Sequence, residues 1–331
     1  MNMIDTLTNI PGIKVGHASD FVGITGCTVI LCEDGAVAGV DQRGGGPGTR
    51  EIALLNPVNH VEKIHAILLA GGSAYGLDAA AGVMQFLEEN NIGYQTGIAR
   101  IPIVPAAILF DLNIGNPKAR PTPEMGYMAC KGASVVDPEQ GSIGAGTGAT
   151  IGKIMGMAYA TKSGIGIASV NLEDGLNVAA IVAVNAIGDV IDPKQGKIIA
   201  GVRANKKFTG GEKNESKFSD TLKIMKSPFG KTLFNQAEKA NTVIGVVVTN
   251  ANFNKTSMTK IAQMAQNGLV RSIRPANTMH DGDTVFALSS GKKNANINLV
   301  GALAAQAVEK AILNAVRNAT TLGGIPAISD L

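Results

Sequence analysis

The chain has 331 residues, enough for one elaborate α/β domain or two smaller ones, with 41 glycines, no tryptophan and only 4% aromatic residues. Its core must rest on Ala, Val, Ile, Leu and Met, a palette suited to close layer packing in one compact body. A formal net charge of +3, much of it in one segment, argues against a surface that tracks phosphates, so no nucleic-acid partner is expected.

Cys27, Cys32 and Cys130 form no C-x-x-C pair and lie in apolar surroundings, which predicts reduced thiols and a cytoplasmic setting. The start, MNMIDTLTNIPGIKVGH, lacks a basic leader followed by an apolar core. No apolar run approaches the roughly 20 residues of a membrane helix, so no membrane partner is expected.

Residues 23–41 read as two strands joined in a hairpin at Glu33-Asp34-Gly35. The following RGGGPGTRE, residues 43–51, is too glycine-rich for a regular element. It reads either as a loop whose bare backbone approaches something closely or as a rigid turn. Residues 65–73 predict a buried strand ending in a glycine turn, and residues 75–89 a helix with Leu77, Ala80, Ala81, Met84 and Leu87 at helical spacing. Pro102 and Pro105 predict an irregular edge in the next apolar run, and residues 124–133 a short helix.

The run GSIGAGTGA, residues 141–149, fits the G-x-G-x-x-A pattern superficially, but no clean strand precedes it. Lys153 is followed by Ile154 rather than Ser or Thr, so a phosphate loop fails as well; a glycine loop lining a cleft is the expectation. Residues 153–170 and 176–191 read as long strands joined by a hairpin at Glu173-Asp174-Gly175. Asn185 interrupts the second, and burying its amide without partners would cost roughly 1 to 3 kcal/mol, so it must meet neighbouring backbone or a substrate oxygen. Lys162 reads as a solvated strand residue.

Residues 203–240 are polar and basic and predict an exposed excursion with a helical pattern in part of it. At KANTVIGVVV, residues 239–248, this run gives way to an apolar β-type run. Thr242 there is either a β-branched residue opening a strand or a latent nucleophile. A threonine at a chain start has its own α-amine, of reference pKa roughly 7.7 to 8.0, as a nearby base. Exposing that amine requires cutting the Asn241-Thr242 bond. Beyond it, residues 255–268 predict a helix stopped by Asn267-Gly268, residues 270–274 a short strand, TVFALSSG a strand, and residues 296–317 a helix.

Asp281 and Asp283 place two carboxylates at the turn before TVFALSSG, where they could orient a nucleophile or move its proton; the alternative is an acidic surface turn. His280 reads equally as a general base or a surface imidazole. His17, His60 and His65 lack metal-ligand spacing, so neither metal nor cofactor is expected.

In order, VDQRGGGPGTRE, HAILLAGGSAYGLDAAAGVMQFLEE, GSIGAGTGATIGK, KSGIGIAS, VNAIGDV and DGDTVFAL resemble the DmpA-type (P1) aminopeptidase family, nearest its threonine branch with the nylon-oligomer hydrolases. The resemblance covers most of the chain. It implies an α/β fold of the four-layer αββα type shared with ornithine acetyltransferases, a precursor that cleaves itself, and a homotetramer of cleaved protomers acting on short peptides or oligoamides. By matching motif it implies Asn241-Thr242 as the processing bond of a single domain, giving subunits 1–241 and 242–331. It further implies Thr242 as nucleophile, Asp281 and Asp283 as its acidic support, Asn185 and Lys162 at the oxyanion, and Tyr75 in the substrate pocket. The chain departs from the family at Ile52-Ala53, where Thr-Asp is usual, and at Asn277, where histidine is common. An acyl transferase of the ornithine-acetyltransferase kind, or a small-molecule-binding protein with the same glycine loops, are the competing readings.

Overall fold

One long strand organises the architecture. In the computed structural model, which describes residue 7 and residues 10–136, 138–204, 217–228, 230 and 241–331, β2 (Thr25–Gln42) runs unbroken for 18 residues. The hairpin expected at Glu33-Asp34-Gly35 does not form. Gly35 adopts φ +78°, and the pairing with the neighbouring strand slips between Leu31 and Ala36, so Asp-Gly makes a bulge that bends the strand rather than reversing it. The reversal lies earlier, where β1 (Lys14–Asp20) pairs antiparallel with the first half of β2.

Bending lets β2 serve two sheet halves. Its second half pairs with β10 (Thr284–Lys293), in the run β6 (Ile165–Asn171), β7 (Asn177–Asn185), β9 (Thr242–Ala251), β10, β2. On its other side stand β4 (Lys63–Ala70), β5 (Ala106–Ile108) and the edge strand β3 (Thr49–Arg50), completing a nine-stranded path with β1. The expected irregular edge at Pro102 and Pro105 is therefore short but interior: β5 pairs on both sides, and residues 102–109 are buried.

Period-2 alternation sorts the strands into layers. In β7, Val178, Ala180, Val182 and Val184 face α4 (Lys255–Ser272) and α5 (Ile297–Arg317), whereas Ala179, Ile181 and Ala183 face the other sheet half. Val29, Leu31, Leu68 and Ala70 pack against α1 (Ala79–Glu89) and α2 (Pro123–Lys131). The order helix, sheet, sheet, helix is the αββα sandwich that the resemblance implied, with strands from both sides of the 241/242 junction in one sheet.

Several boundaries differ from the sequence expectations. Asn267-Gly268 does not stop α4, because Gly268 sits where the backbone of α5 crosses; an added Cβ would lie 2.2 Å from Ala305 O. The strand expected over 153–170 is mostly loop up to Gly164, and the strand expected over 176–191 ends at Asn185, where the chain leaves for a separate sheet at β8 (Asp189–Asp192). The excursion at 203–240 lies largely outside the described residues; within it, α3 (Thr221–Lys226) is capped by Asp220 and pinned through Thr221 to the buried Asp189. Among the described residues one helix, α5, is long and apolar enough to cross a membrane, but most of it is buried against β6 and β7 as a core helix. The three cysteines are free and buried.

Candidate active site

Thr242 opens β9 because the β-branched, apolar run that it begins fits the space between β7 and β10. Its register partner across the antiparallel pair is Asn185, the last residue of β7. Alternation places both on the face that looks between the two sheet halves. Thr242 Oγ1 donates to Asn241 O, the carbonyl of its own preceding peptide bond, at 2.5 Å.

The acidic turn holds that peptide bond from the other side. Asn241 bridges to Asp281 as one extra parallel rung beyond β9 and β10, with Asn241 N donating to His280 O at 3.3 Å and Gly282 N donating to Asn241 O at 3.0 Å. A Cβ on Gly282 would lie 2.9 Å from Thr242 Oγ1 and 2.8 Å from Gly46 O, so only glycine brings its N–H this close to the carbonyl. The glycine loop of residues 43–51 packs on the same turn: Arg43 N donates to Asp283 O at 3.0 Å, Gly45 N to Thr278 O at 3.1 Å and Gly46 N to Asp281 O at 2.8 Å. Of its two sequence readings, close backbone approach is the one observed.

Asp281 and Asp283 are buried and receive backbone donors. Asp283 Oδ1 accepts from Val243 N at 2.7 Å and Oδ2 from Asn277 N at 2.9 Å, while Asp281 Oδ2 accepts from Thr278 N at 2.6 Å. Burial pushes both carboxyls above the ordinary range. The neighbouring Asp281 charge raises Asp283 further; the Thr278 donors and the Lys153 charge oppose the rise at Asp281. Asn277 contributes its main-chain N–H from a left-handed conformation, φ +57°, that asparagine tolerates.

Asn185 is satisfied by protein groups. Its Oδ1 accepts from Thr150 N at 3.1 Å and Lys153 Nζ at 2.9 Å, and its Nδ2 donates to Phe110 O at 2.7 Å. Lys153 Nζ also donates to the Asn185 carbonyl at 3.0 Å and is the lysine that joins Asn185 electrostatically to Asp281. Lys162 is not the solvated residue that the strand pattern suggests. It is fully buried and donates to the carbonyls of Gly146, Ala149 and Ser163, a set that uses all three ammonium hydrogens. Burial draws it down to about 7, with Asp111 opposing. Lys162 thus braces the 144–150 loop that presents Thr150 N to Asn185.

Tyr75 lies in the turn after β4, beyond Gly72 and Ser73, both at positive φ. It is 59% exposed and lines an open cleft of about 620 Å³ with Arg50, Asp78, Lys118 and Arg120. The chain connects that cleft to Thr242 twice: Ser73 N donates to Leu109 O beside the Phe110 carbonyl that Asn185 holds, and Arg50 ends the loop that begins on the acidic turn. Sequence reasoning missed Lys153 and the Gly282 N–H. A lysine among apolar residues just after the glycine run of residues 141–149 was the available signal for the first; nothing in a sequence marks a backbone donor. Among the described residues no group of three or more His, Cys, Asp or Glu comes together to hold a metal.

An αββα sandwich with a strand-opening threonine at the mouth between its sheets is the architecture of an N-terminal-nucleophile hydrolase, an enzyme class that cleaves amide bonds. Residues 5–327 match Peptidase family S58, and the chain belongs to that family. It is 40% identical over 349 residues to an uncharacterised aminopeptidase of Mycobacterium leprae, spanning 98% of this chain and 93% of the relative. It is also 31% identical over 322 residues to a 6-aminohexanoate-oligomer endohydrolase of a Kocuria species, spanning 93% and 85%. The fold superimposes on the L-aminopeptidase D-Ala-esterase/amidase of Ochrobactrum anthropi with TM-score 0.72 at 17% identity, covering 97% of this chain and 88% of that one. A Burkholderia β-aminopeptidase gives TM-score 0.65 at 20% identity over 97% and 89%.

Proposed function

We propose that Thr242 is the nucleophile of both reactions and that the Asn241-Thr242 bond is the processing site, giving subunits 1–241 and 242–331. The observation that carries this reading is the grip on one carbonyl: Thr242 Oγ1 at 2.5 Å and Gly282 N at 3.0 Å converge on Asn241 O. In the precursor Oγ1 attacks the Asn241 carbonyl carbon, and Gly282 N–H supports the charge developing on its oxygen. No α-amine exists at that stage, so the hydroxyl proton passes to the Asp281 and Asp283 pair, whose burial raises their proton affinity. The C–N bond then breaks, the new amine takes up a proton, and water hydrolyses the Asn241 ester.

In the mature enzyme the Thr242 amine accepts the hydroxyl proton as Oγ1 attacks a substrate amide, and it returns that proton to the leaving amine. Asn185, oriented by Lys153 and Thr150, is the strand-borne partner of the oxyanion; Lys162 supports it through the loop behind. Tyr75 lines the substrate cleft. Water then releases the acyl group, which separates hydrolysis from acyl transfer to a second amine.

The substrates are short peptides or oligoamides, in keeping with relatives described as aminopeptidases and as 6-aminohexanoate-oligomer endohydrolases. A cytoplasmic, homotetrameric enzyme of cleaved protomers completes the reading, supported on location by three buried free thiols. Intact-mass analysis of purified protein tests its centre. The expected result is a small subunit beginning at Thr242 and a single uncut chain for Thr242→Ala; cleavage of that variant at the same bond would overturn it.

A further inference from the structure

The cleft beside Tyr75 carries more positive charge than its neighbours answer. Arg50, Lys118 and Arg120 line it against a single acid, Asp78, and among the described residues none of the three cations has a carboxylate within ion-pair distance. Glu51, adjacent to Arg50 in sequence, is turned away and accepts from Val104 N at 3.0 Å. Among the described residues Arg50 Nη2 meets a thioether, Met84 Sδ, at 3.1 Å, a weak acceptor. The Arg120 guanidinium lies 3.5 Å from the Tyr75 ring centroid and donates from Nε to Pro117 O at 3.4 Å. Stacking fixes the plane of that guanidinium while its terminal N–H groups stay available for a forked acceptor.

The cleft is also close to the reacting atom. Pro47 Cα lies 3.3 Å from the position of a Gly282 Cβ, itself 2.9 Å from Thr242 Oγ1. Three further residues lead to Arg50, so its Cα is within roughly 17 Å of that oxygen. A chain of a few amide units spans such a distance.

We infer that this cleft binds the terminal carboxylate of the substrate, so that the enzyme selects short peptides or oligoamides with a free carboxylate end. Arg120 and Arg50 take the two carboxylate oxygens, Lys118 adds charge at the rim, and the Tyr75 ring packs on the adjoining methylene or backbone segment. This rests on Thr242 being the nucleophile, since the substrate must reach from there.

The test compares one short oligoamide as free acid and as primary carboxamide, using the self-cleaved enzyme. The free acid should be favoured by on the order of 10-fold or more in kcat/KM, mainly through KM, and the preference should shrink with added salt. In Arg50→Gln/Arg120→Gln the ratio should fall toward one, and Arg120→Lys should recover part of it. Lys118→Gln, at an exposed position, gives a smaller loss and serves if the double variant does not fold. Equal rates for the two substrates in the wild type, or a ratio untouched by these changes, would overturn the inference. If the wild type cleaves neither, the hydrolytic part of the proposed function fails for this oligoamide while self-cleavage still tests Thr242, and calorimetric binding of acid against carboxamide by the same protein decides the cleft.

Discussion

Replacing Gly282 by alanine asks whether the turn, as well as the threonine, performs self-cleavage. The new Cβ would stand 2.9 Å from Thr242 Oγ1, 2.8 Å from Gly46 O and 3.3 Å from Pro47 Cα, so one neighbour must give by several tenths of an ångström. Gly46 yields poorly, because the loop is tied to the same turn at Arg43, Gly45 and Gly46. The threonine side chain is therefore the group that moves, and its hydroxyl is the group that must stay. A misplacement of about 1 Å can cost about 10²-fold in rate, so a shift of half that size should slow processing by roughly 10-fold or more. Overpacking should cost about 1 to 3 kcal/mol in stability. Time courses of precursor disappearance on denaturing gels, with a thermal melt on the uncut protein, give both quantities. Processing at the wild-type rate with an unchanged melt would refute the placement of Gly282 against the nucleophile.

Lys153→Met should slow turnover by on the order of 10²-fold by releasing the Asn185 amide, and should move the acidic limb of the pH–rate profile upward, because the cation that opposes the rise of Asp281 is gone; an unshifted limb would separate the two residues. Stability should decline as pH rises. Asp189 is buried, and burial raises it to about 7, with the Thr221 and Val202 donors opposing. The folded state therefore holds this proton more tightly than the unfolded chain; the contribution is full below about pH 4 and is lost as pH rises through about 7, with a slope of at most about 1.4 kcal/mol per pH unit. Asp189→Asn should narrow the difference in Tm between pH 5 and pH 8, even though its amide then faces the Thr221 N–H, and an unaltered difference would show that Asp189 titrates alike in both states.

What the sequence revealed follows from where its signals are local. Nearly continuous apolar runs made β9 and β10 visible, because strands covered on both faces read that way, and the helical stripe made α5 visible, because it reports burial of one face. Asp34-Gly35 misled because a positive φ serves a bulge as well as a hairpin, and only the partner strand decides between them. The Asn267-Gly268 stop failed because α5 needs a bare backbone at that point of α4. Lys162 looked solvated because nothing in a period-2 pattern announces two carbonyls waiting in a distant glycine loop and a third on the next residue.

The same distinction explains the two lysines of the site. Both lie near the glycine run, yet Lys162 spends its donors on loop carbonyls while Lys153 reaches the side chain of Asn185 and its carbonyl. A residue that acts through backbone carbonyls fixes a loop; one that touches Asn185 Oδ1 sets which way the amide points. If the oxyanion partner depends on that orientation, Lys162→Met should lose stability and self-cleavage together, whereas Lys153→Met should lose turnover with a smaller change in melting. A ratio of activity loss to stability loss that is equal for the two would mean that both act only as scaffolding.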